Sequence, residues 1–425
     1  MQPVRDRSGK PLLVPKWLDL CPFWDVDGKA YLIASKPNGA WYPHLFRMSW
    51  DGTALLDADA ETMALPGVQL SGEGALIYSR KSAEGSKIYK KDGLYYFFNN
   101  EVSWQGRMAV MRRSRFIYGE RVDGSPGTAA HPGAYQVKPM LETHARNREI
   151  NQGGLVDTPD GRWYFLTHGG LGGFADGRVV SLLPVRWIDG WPIAGDDADG
   201  DGVGDMVWSG EVPVKGGTIS YPQGSDDFSS LQLLPRWEWN HQPRAEYWSL
   251  TERPGWLRLR AFRPLATDSF FKAGNTLGQR YLSADKVQVT VQVDVSGLAH
   301  GQKAGLAQFN GGKNYSALRL ALTPDALRLE VVVDDRVMSS HEIDRRSDPL
   351  WLRTDIDQAH RAQFSYSTNG KTFTTLSGSS ELKWGGYRGA YLGLFTYNDA
   401  ADKGYLDINS FEYRFEPRPT KKQVR

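Results

Sequence analysis

The sequence predicts an all-β chain with two parts, a ring of repeated strand units followed by a β-sandwich. Three observations predict this fold. A strand–turn–strand unit recurs in the first half, evenly spaced strands fill the second half, and helical periodicity is scarce in both. With 425 residues, the chain is long enough for two domains with sizeable cores.

The first half repeats a unit in which a short strand, an Asp-Gly turn and an aromatic strand follow one another. Its three copies read DLCPFWDVDGKAYLI, EGSKIYKKDGLYYFF and INQGGLVDTPDGRWYFL. The turn glycines Gly28, Gly93 and Gly161 lie 65 and 68 residues apart. A regular period of strand units is typical of a propeller whose blades carry long loops. Each Asp-Gly pair taken alone indicates only a hairpin turn.

Polar residues open these units at a fixed offset. Asp19 and Glu84 each lie nine residues before their turn glycine, and Gln152 takes that position in the third unit, directly after Asn151. Carboxylates at the same point of a repeated unit predict that a ring of strands aims acids at one centre. Acid–base hydrolysis of a glycoside requires such a pair. The structural alternative is that both carboxylates cap strand ends.

The second half carries strand signals at even spacing from Tyr221–Asp227 onward, and no repeat links it to the first half. Several of these strands alternate apolar and polar residues, as the strands of a β-sandwich with one buried face do. We therefore predict a propeller domain over residues 1–222, a sandwich over 223–418 and a basic tail over 419–425.

Composition excludes several classes of protein. The net charge is only +2, so nothing marks a nucleic-acid-binding surface. No stretch approaches the roughly 20 apolar residues of a membrane span, and the first residues, MQPVRDRSGKP, lack the apolar segment of a signal peptide. The single cysteine, Cys21, excludes a disulfide within the chain, and its apolar surroundings predict a buried side chain.

Several segments resemble family 43 glycoside hydrolases. The blade motifs of that family are similar to DLCPFWDVDGKAYL, AEGSKIYKKDGLYYFF, NQGGLVDTPDGRWYF and LLPVRWIDGWPI. The segment RWEWNHQPRAEYWSLTERPGWLRLRA, with NTLGQR, resembles the concanavalin-like (jelly-roll) sandwich of the xylosidase and arabinofuranosidase branches. The resemblance implies a five-bladed β-propeller, a funnel-shaped site and inversion at the anomeric carbon. It also implies chemistry without a cofactor and a parent protein that is exported.

The implied activity is removal of a terminal xylose or arabinofuranose from plant hemicellulose oligosaccharides. Carried over by position, Glu84 is the general acid, and Asp19 is the carboxylate whose charge helps that acid hold its proton. The family's general base belongs to a blade that should precede Trp17. Only sixteen residues precede Trp17, and Asp6 among them is not assigned the role. Ser86 also replaces the proline of the family's Glu-Gly-Pro motif.

On this count the sequence is expected to lack one or two N-terminal blades. The rival interpretation is then a sugar-binding remnant without turnover, because the blade that carries the base is absent. An incomplete propeller exposes sheet edges that invite pairing. A homo-oligomer that covers the open edge is therefore also predicted. Neither a nucleic acid nor a membrane is an expected partner, whereas a xylo- or arabino-oligosaccharide is.

Six further residues are candidates for sugar binding. The flat faces of Phe23 and Trp104 suit the C–H faces of sugar rings, although packing in a blade core is the alternative for each of them. The family usually has a histidine where this chain has Asn151 or Gln152, which puts a central metal in doubt. The remaining two candidates, His168 and Arg178, match positions where the family has polar groups facing the funnel. A surface salt bridge is the alternative for Arg178.

Two sets of aspartates are candidates for a structural calcium ion. The first set has the spacing that opens an EF-hand loop and consists of Asp197, Asp199, Asp201 and Asp205. Trp208 takes the twelfth position of that loop, where an acidic ligand is expected. The second pair, Asp227 and Asp407, matches a pattern in which related sandwiches bind calcium. An acidic turn without metal is the alternative for the first set.

Overall fold

The structure is a computed structural model. It describes residues 18–37, 41–56, 74–78, 83–102, 107–142, 150–169, 175–207, 209–211, 213–214, 216, 220–266, 270–282, 284–310, 314–344, 349–381, 383 and 387–416. Side chains are not described at positions 36, 37, 41, 102, 150, 151 and 169. The chain divides into two compact units, Met1–Leu171 with Val179–Gly216, and Gly172–Arg178 with Gly217–Arg425. The domain limits inferred from sequence stay a prediction.

Three antiparallel sheets make up the described part of the first unit, and each uses strands that follow one another along the chain. Sheet one contains β1 (Leu18–Trp24), β2 (Ala30–Pro37), β3 (Trp41–Met48), β4 (Leu55–Leu56) and β5 (Ala75–Leu76). Sheet two contains β6 (Ala83–Lys91), β7 (Leu94–Val102), β8 (Arg107–Ser114) and β9 (Gln136–Leu141). Sheet three contains β10 (Ile150–Asp157), β11 (Trp163–Gly169), β12 (Val179–Ile188) and β13 (Trp191–Ala194). These sheets are the propeller blades.

The aromatic strand of the second blade is buried on both of its faces. Successive side chains of a strand point to opposite faces of the sheet. Phe97 accordingly packs in a core with residues of the first blade, and Phe98 packs in a core with residues of the third. Both side chains are 0% exposed. The run of aromatic residues therefore fixes the second blade between its two neighbours.

Cys21 lies on β1 and packs against the core between the first two blades. Burial raises the pKa of the Cys21 thiol above its ordinary value. A thiol that holds its proton more tightly is a weaker nucleophile. The side chain thus packs as a small apolar group, although it is only partly buried.

The described part of the second unit is built on two antiparallel sheets of seven strands each. In pairing order the first consists of β14 (Glu238–Trp239), β17 (Asn275–Arg280), β26 (Ala390–Asn398), β19 (Gln302–Asn310), β20 (Asn314–Leu322), β21 (Leu327–Val333) and β22 (Arg336–Ile343). The second consists of β15 (Trp248–Ser249), β16 (Leu257–Arg260), β27 (Tyr405–Glu416), β18 (Lys286–Asp294), β23 (Leu350–Ile356), β24 (Arg361–Ser367) and β25 (Thr374–Glu381). Two short 3-10 helices, Ala245–Tyr247 and Phe270–Lys272, accompany them.

The sandwich core lies between these two sheets. On β18 the side chains of Val287, Val289 and Val291 are all 0% exposed, and they join a core that includes Leu306 and Leu394 of the facing sheet. This is the period-two pattern that the sequence analysis used to predict a sandwich. The predicted fold class, an all-β propeller part followed by a β-sandwich, is confirmed. Among the described residues, no helix is long and apolar enough to cross a membrane.

Candidate active site

A β-bulge opens the first strand of each blade. A bulge inserts one extra residue into a strand, bends it and redirects its side chains. The pairing register shifts at equivalent points of the three blades: between Leu18 and Cys21, between Glu84 and Lys87, and between Ile150 and Gly153. All of the strand-opening polar residues predicted from sequence therefore lie at or beside a bulge.

The structure shifts the predicted equivalence of the two acids by one residue. Glu84 is the last paired residue before its bulge, which makes it equivalent to Leu18, whereas Asp19 is equivalent to Gly85. The backbone conformations support the equivalence of Asp19 and Gly85, because their φ angles of 54° and 71° both lie in the left-handed region. The nine-residue offset misses this because the turn after Trp24 is longer than the turn after Lys91.

The carboxylate of Asp19 connects all three bulges. Its Oδ2 accepts a hydrogen bond from the backbone N–H of Gly85 at 2.9 Å and another from Nε2 of Gln152 at 3.1 Å. The first bond holds the peptide that joins Glu84 to Gly85. One carboxylate oxygen of the first blade thus fixes the bulges of the second and third.

Gly85 is required by both its conformation and its surroundings. A Cβ at this position would lie 2.4 Å from Cγ and 2.9 Å from Cβ of Gln152. The left-handed backbone conformation also disfavours any residue with a Cβ. The Gln152 side chain therefore crosses directly over the second bulge on its way to Asp19.

Glu84 forms an ion pair with Arg107, the first residue of β8. Nη1 of Arg107 donates to Oε1 of Glu84 at 2.5 Å. The two side chains are 20% and 25% exposed, so the pair is largely buried but open to solvent on one side. This partner of the proposed acid was not predicted from the sequence.

Ser86, which stands where the resembling family has proline, is fully buried and hydrogen-bonded. Its Oγ accepts from Nδ2 of Asn99 on β7 at 2.6 Å and lies 3.5 Å from Oγ of Ser35 on β2. Ser35 in turn donates to the carbonyl of Ala83 at 3.2 Å. The hydroxyl therefore connects the first and second blades immediately after the Glu84–Gly85 bulge.

Two of the predicted sugar-binding residues lie on adjacent strands of the third blade. Gln152 is on β10, and its carbonyl accepts a hydrogen bond from Oγ1 of Thr167 on β11 at 3.1 Å. His168 follows Thr167 on β11, opposite Val180, and is partly buried. The geometry thus brings Gln152 to Asp19 and keeps His168 on the neighbouring strand.

Phe23 packs as a core residue. Its ring meets the ring of Tyr95 edge-on, with centroids 6.4 Å apart, and it joins the core between the first two blades. Packing of this kind was the alternative stated for Phe23. These contacts give no support to sugar stacking by this ring.

The described structure leaves the predicted roles of three other residues untested. Trp104 and the side chain of Asn151 lie outside the described residues. Arg178 belongs to the unit that contains the sandwich, where its guanidinium lies 3.7 Å from the ring centroid of Tyr387 and its N–H donates to the Tyr387 carbonyl at 3.0 Å.

The acidic loop brings together three of its four predicted ligands. Carboxylate oxygens of Asp197, Asp199 and Asp201 lie within 4.8 Å of one another. Asp205 instead pairs through its backbone with Asp196. Backbone N–H groups of the loop donate to the three carboxylates, at 2.7 Å for Asp201. Exposed acidic groups are common without an ion, so calcium here stays a hypothesis.

The contacts of Asp407 give no support to the second calcium prediction, which stays a hypothesis. It is 1% exposed, and both of its oxygens accept from Arg258, at 2.8 Å each. Arg253 adds a third bond of 3.0 Å. Asp227 is exposed and caps its own turn by accepting from Ser229. Two guanidinium groups therefore already occupy the oxygens of Asp407, and Arg253 and Arg258 also pair with Asp294 and Glu252.

Two family models match the chain. Residues 9–192 match glycosyl hydrolases family 43, and residues 225–414 match the β-xylosidase C-terminal concanavalin A-like domain. The chain is also 32% identical to the β-xylosidase of Formosa agariphila, over 94% of this chain and 70% of that protein. The chain belongs to glycoside hydrolase family 43.

Two further comparisons agree with this assignment. A xylosidase/arabinosidase of Butyrivibrio fibrisolvens is 24% identical over 93% of this chain and 76% of its own length. A solved structure of a bifunctional GH43-CE protein from Bacteroides eggerthii superposes with a TM-score of 0.72 and 27% identity. That match covers 95% of this chain and 49% of the solved chain, so this chain spans about half of that protein.

Sequence reasoning on this family 43 chain missed two residues of the site. Gly85 was visible in the Glu-Gly-Ser motif, but only the φ of 71° and the approach of Gln152 explain it. Arg107 follows a polar loop and has no motif of its own. The pairing of β7 with β8 brings it to Glu84, and a single sequence does not reveal that register.

Proposed function

We propose that this chain is an exo-acting, inverting glycoside hydrolase that removes a terminal xylose or arabinofuranose from hemicellulose oligosaccharides. The observation that carries the proposal is the hydrogen bond from the Gly85 N–H to Asp19, 2.9 Å long, which fixes the backbone beside Glu84. The names of the two relatives, a β-xylosidase and a xylosidase/arabinosidase, support the pentose specificity. Those names describe the relatives, and the choice between the two sugars stays open.

In this mechanism Glu84 is the general acid. It donates its proton to the glycosidic oxygen as the bond to the anomeric carbon breaks, while a water attacks that carbon from the opposite face. Asp19 orients the Glu84–Gly85 peptide through the hydrogen bond that it accepts from the Gly85 N–H. Inversion also requires a carboxylate base about 6.5–9.5 Å from the acid, to accept the water's proton. None of the residues assigned above takes that role.

Gln152 and His168 are the proposed sugar-binding residues of the third blade. The hydrogen bond of Gln152 to Asp19, 3.1 Å long, supports this for Gln152, because a group held beside the acids is well placed for a sugar hydroxyl. His168 lies on the adjacent strand. The chemistry proposed here uses carboxylates and water, and it involves no cofactor.

The test compares the wild type with Glu84→Gln on nitrophenyl β-xyloside and nitrophenyl α-arabinofuranoside. Glutamine keeps the size of the side chain but has no proton to donate. Glu120→Gln is the control, because Glu120 pairs with Arg115 at an exposed site of the same unit. We expect nitrophenol release by the wild type and the control, and a loss of at least about 100-fold in Glu84→Gln.

Two outcomes contradict the proposal. Turnover that survives Glu84→Gln would remove Glu84 from the mechanism. A folded wild type that binds xylo-oligosaccharide, with no release from either substrate, would favour the alternative of a sugar-binding protein without turnover.

A further inference from the structure

Glu84 has a charged partner that its assignment as general acid does not explain. Arg107 donates from Nη1 to Oε1 of Glu84 at 2.5 Å. A general acid must be protonated to act, yet a guanidinium beside a carboxyl group favours the ionised form. The contact is therefore costly for the first half of the reaction and favourable for the second, in which the proton has left.

The pairing of the second blade explains why this partner is an arginine. Strands β6, β7 and β8 lie side by side, with Glu84 opposite Asn100 and Asn100 opposite Ala109. Arg107 is two residues before Ala109, so its side chain lies on the same face of the sheet as Glu84. The two strands that carry the pair are about 10 Å apart, since each neighbouring pair is separated by about 4.8 Å. A long side chain with a planar head spans that gap.

We propose that Arg107 is the positioning residue and counter-ion of Glu84. It holds the carboxyl group in place before the reaction and neutralises the carboxylate left when the proton moves to the glycosidic oxygen. The inference rests on the proposed function of Glu84 as the acid. Asp19 then fixes the peptide that follows Glu84, and Arg107 holds the carboxyl group of Glu84 itself.

Two other charged side chains on the neighbouring described strands have partners besides Glu84. Lys87, on the same strand, donates to the carbonyls of Gly85 and Ser86 at 3.1 and 3.3 Å. On β7, the carboxylate of Glu101 pairs with Arg112 of β8, and both side chains are less than 10% exposed. The side chain of Glu84 is 20% exposed, whereas that of Glu101 is 7% exposed.

The experiment uses four variants of the full chain, three at arginines and one at Glu84. Arg107→Met removes the charge and keeps an unbranched side chain, and Arg107→Lys keeps the charge on a shorter stem. Arg115→Met is the control, because Arg115 pairs with Glu120 at an exposed site of the same unit. The titration midpoint of the Glu84 carboxyl carbon is measured by 13C NMR, with Glu84→Gln used to assign the signal. The pH dependence of kcat/KM is recorded on the same samples.

The expected result is a midpoint for Glu84 that rises by about one pH unit or more in Arg107→Met, because a carboxylate loses an adjacent cation. Arg107→Lys gives an intermediate value, and Arg115→Met leaves the midpoint unchanged. The alkaline limb of the kcat/KM profile moves upward by the same amount. In Arg107→Met, kcat falls more for aryl xylosides with poor leaving groups than for a dinitrophenyl xyloside, which needs no proton.

An unchanged midpoint in Arg107→Met and Arg107→Lys would overturn the proposal, since a purely structural residue would not move it. If Arg107→Met does not fold, Arg107→Lys decides by the same titration. Absence of turnover in every sample would contradict the proposed hydrolase activity, yet the NMR titration would still test the pairing. The two failures are therefore distinguishable.

Discussion

Oδ2 of Asp19 accepts a hydrogen bond from the backbone N–H of Gly85 at 2.9 Å, so a side chain of the first blade holds the main chain of the second. The bond connects the two residues in left-handed conformations that form the first two bulges. Because Gly85 directly follows Glu84, this contact couples the position of the proposed acid to the neighbouring blade. The first prediction follows from that coupling.

Replacing Asp19 by alanine should lower kcat/KM on aryl β-xylosides by about 100-fold, since small misplacements of a catalytic group have effects of that size. Asp19→Asn should recover part of the loss, because its amide oxygen still accepts from Gly85. The measurement is steady-state kinetics on both variants. Equal losses would show that the charge of Asp19 alone matters and that the hydrogen bond does not.

Gly85→Ala should destabilise the first unit and reduce activity. The new Cβ would meet Gln152 at 2.4 Å, and the backbone has φ 71°. Gly93→Ala is the matched control, because Gly93 has φ 78° and a Cβ added there would have no atom within 4 Å. Thermal or urea unfolding should give a cost of about 1 kcal/mol for the control and about 3 kcal/mol for Gly85→Ala.

Comparable costs at the two glycines would mean that Gln152 moves aside freely. In that case Gln152 would not be held over the bulge as its hydrogen bond to Asp19 requires. The double variant Gly85→Ala with Gln152→Ala should recover part of the extra cost, since it removes Cγ of Gln152 but keeps the Cβ that lies 2.9 Å from the added Cβ.

The other end of β1 is fixed by a buried ion pair. Asp25 has a side chain that is 0% exposed, and it accepts from Lys90 at 2.6 Å and from the hydroxyl of Tyr95. Burial alone would raise its pKa, but hydrogen bonds from Lys90 and Tyr95 lower the pKa of Asp25 below its ordinary value. Burial and the bond to Asp25 raise the pKa of Tyr95.

Asp25→Ala should therefore lower the free energy of unfolding by about 3 kcal/mol at neutral pH, as loss of one partner of a buried pair does. The pKa of Asp25 is lower in the folded than in the unfolded chain. Its contribution is thus complete above about pH 4 and disappears as the pH falls through the lowered pKa. Urea unfolding of both proteins between pH 7 and 3 measures this. A difference that stays constant down to pH 3 would contradict the assignment.

Ser86→Ala should cost about 1–2 kcal/mol of stability, because Nδ2 of Asn99 loses its buried acceptor. Ser35→Ala should cost less, since the Ser35 hydroxyl lies 3.5 Å from Ser86 and makes a longer bond to Ala83. A double-mutant cycle of Ser86→Ala with Asn99→Ala measures the coupling directly. A coupling near zero would show that serine merely fills the space of the family's proline.

The fold was predictable because the signals that specify it are periodic. The alternation on β18 and the aromatic pair Phe97 and Phe98 follow from strand geometry, so the sequence alone indicates buried faces. The Asp-Gly turns gave the repeat. They did not show which residues of the first strands are equivalent, since the turns after Trp24 and Lys91 differ in length and each first strand contains a bulge.

The site was predictable only where a motif carried it. Asp19 and Glu84 stood in recognisable strand openings, and their connection through Gly85 then emerged from the fold. Arg107 was missed because its contact depends on the register across three strands. The calcium prediction at Asp407 gained no support because this carboxylate pairs with Arg253 and Arg258. Both arginines are distant from Asp407 in sequence, so the sequence did not reveal the pairing.

The central claim is that Glu84 acts as the proton donor of an inverting glycosidase. The most direct measurement is 1H NMR of a fresh digest of aryl β-xyloside, in which the first anomer of xylose formed is observed before mutarotation. We expect α-xylose to appear first with the wild type and to form at least about 100 times more slowly with Glu84→Gln. Initial release of β-xylose, or an unchanged rate in Glu84→Gln, would contradict it.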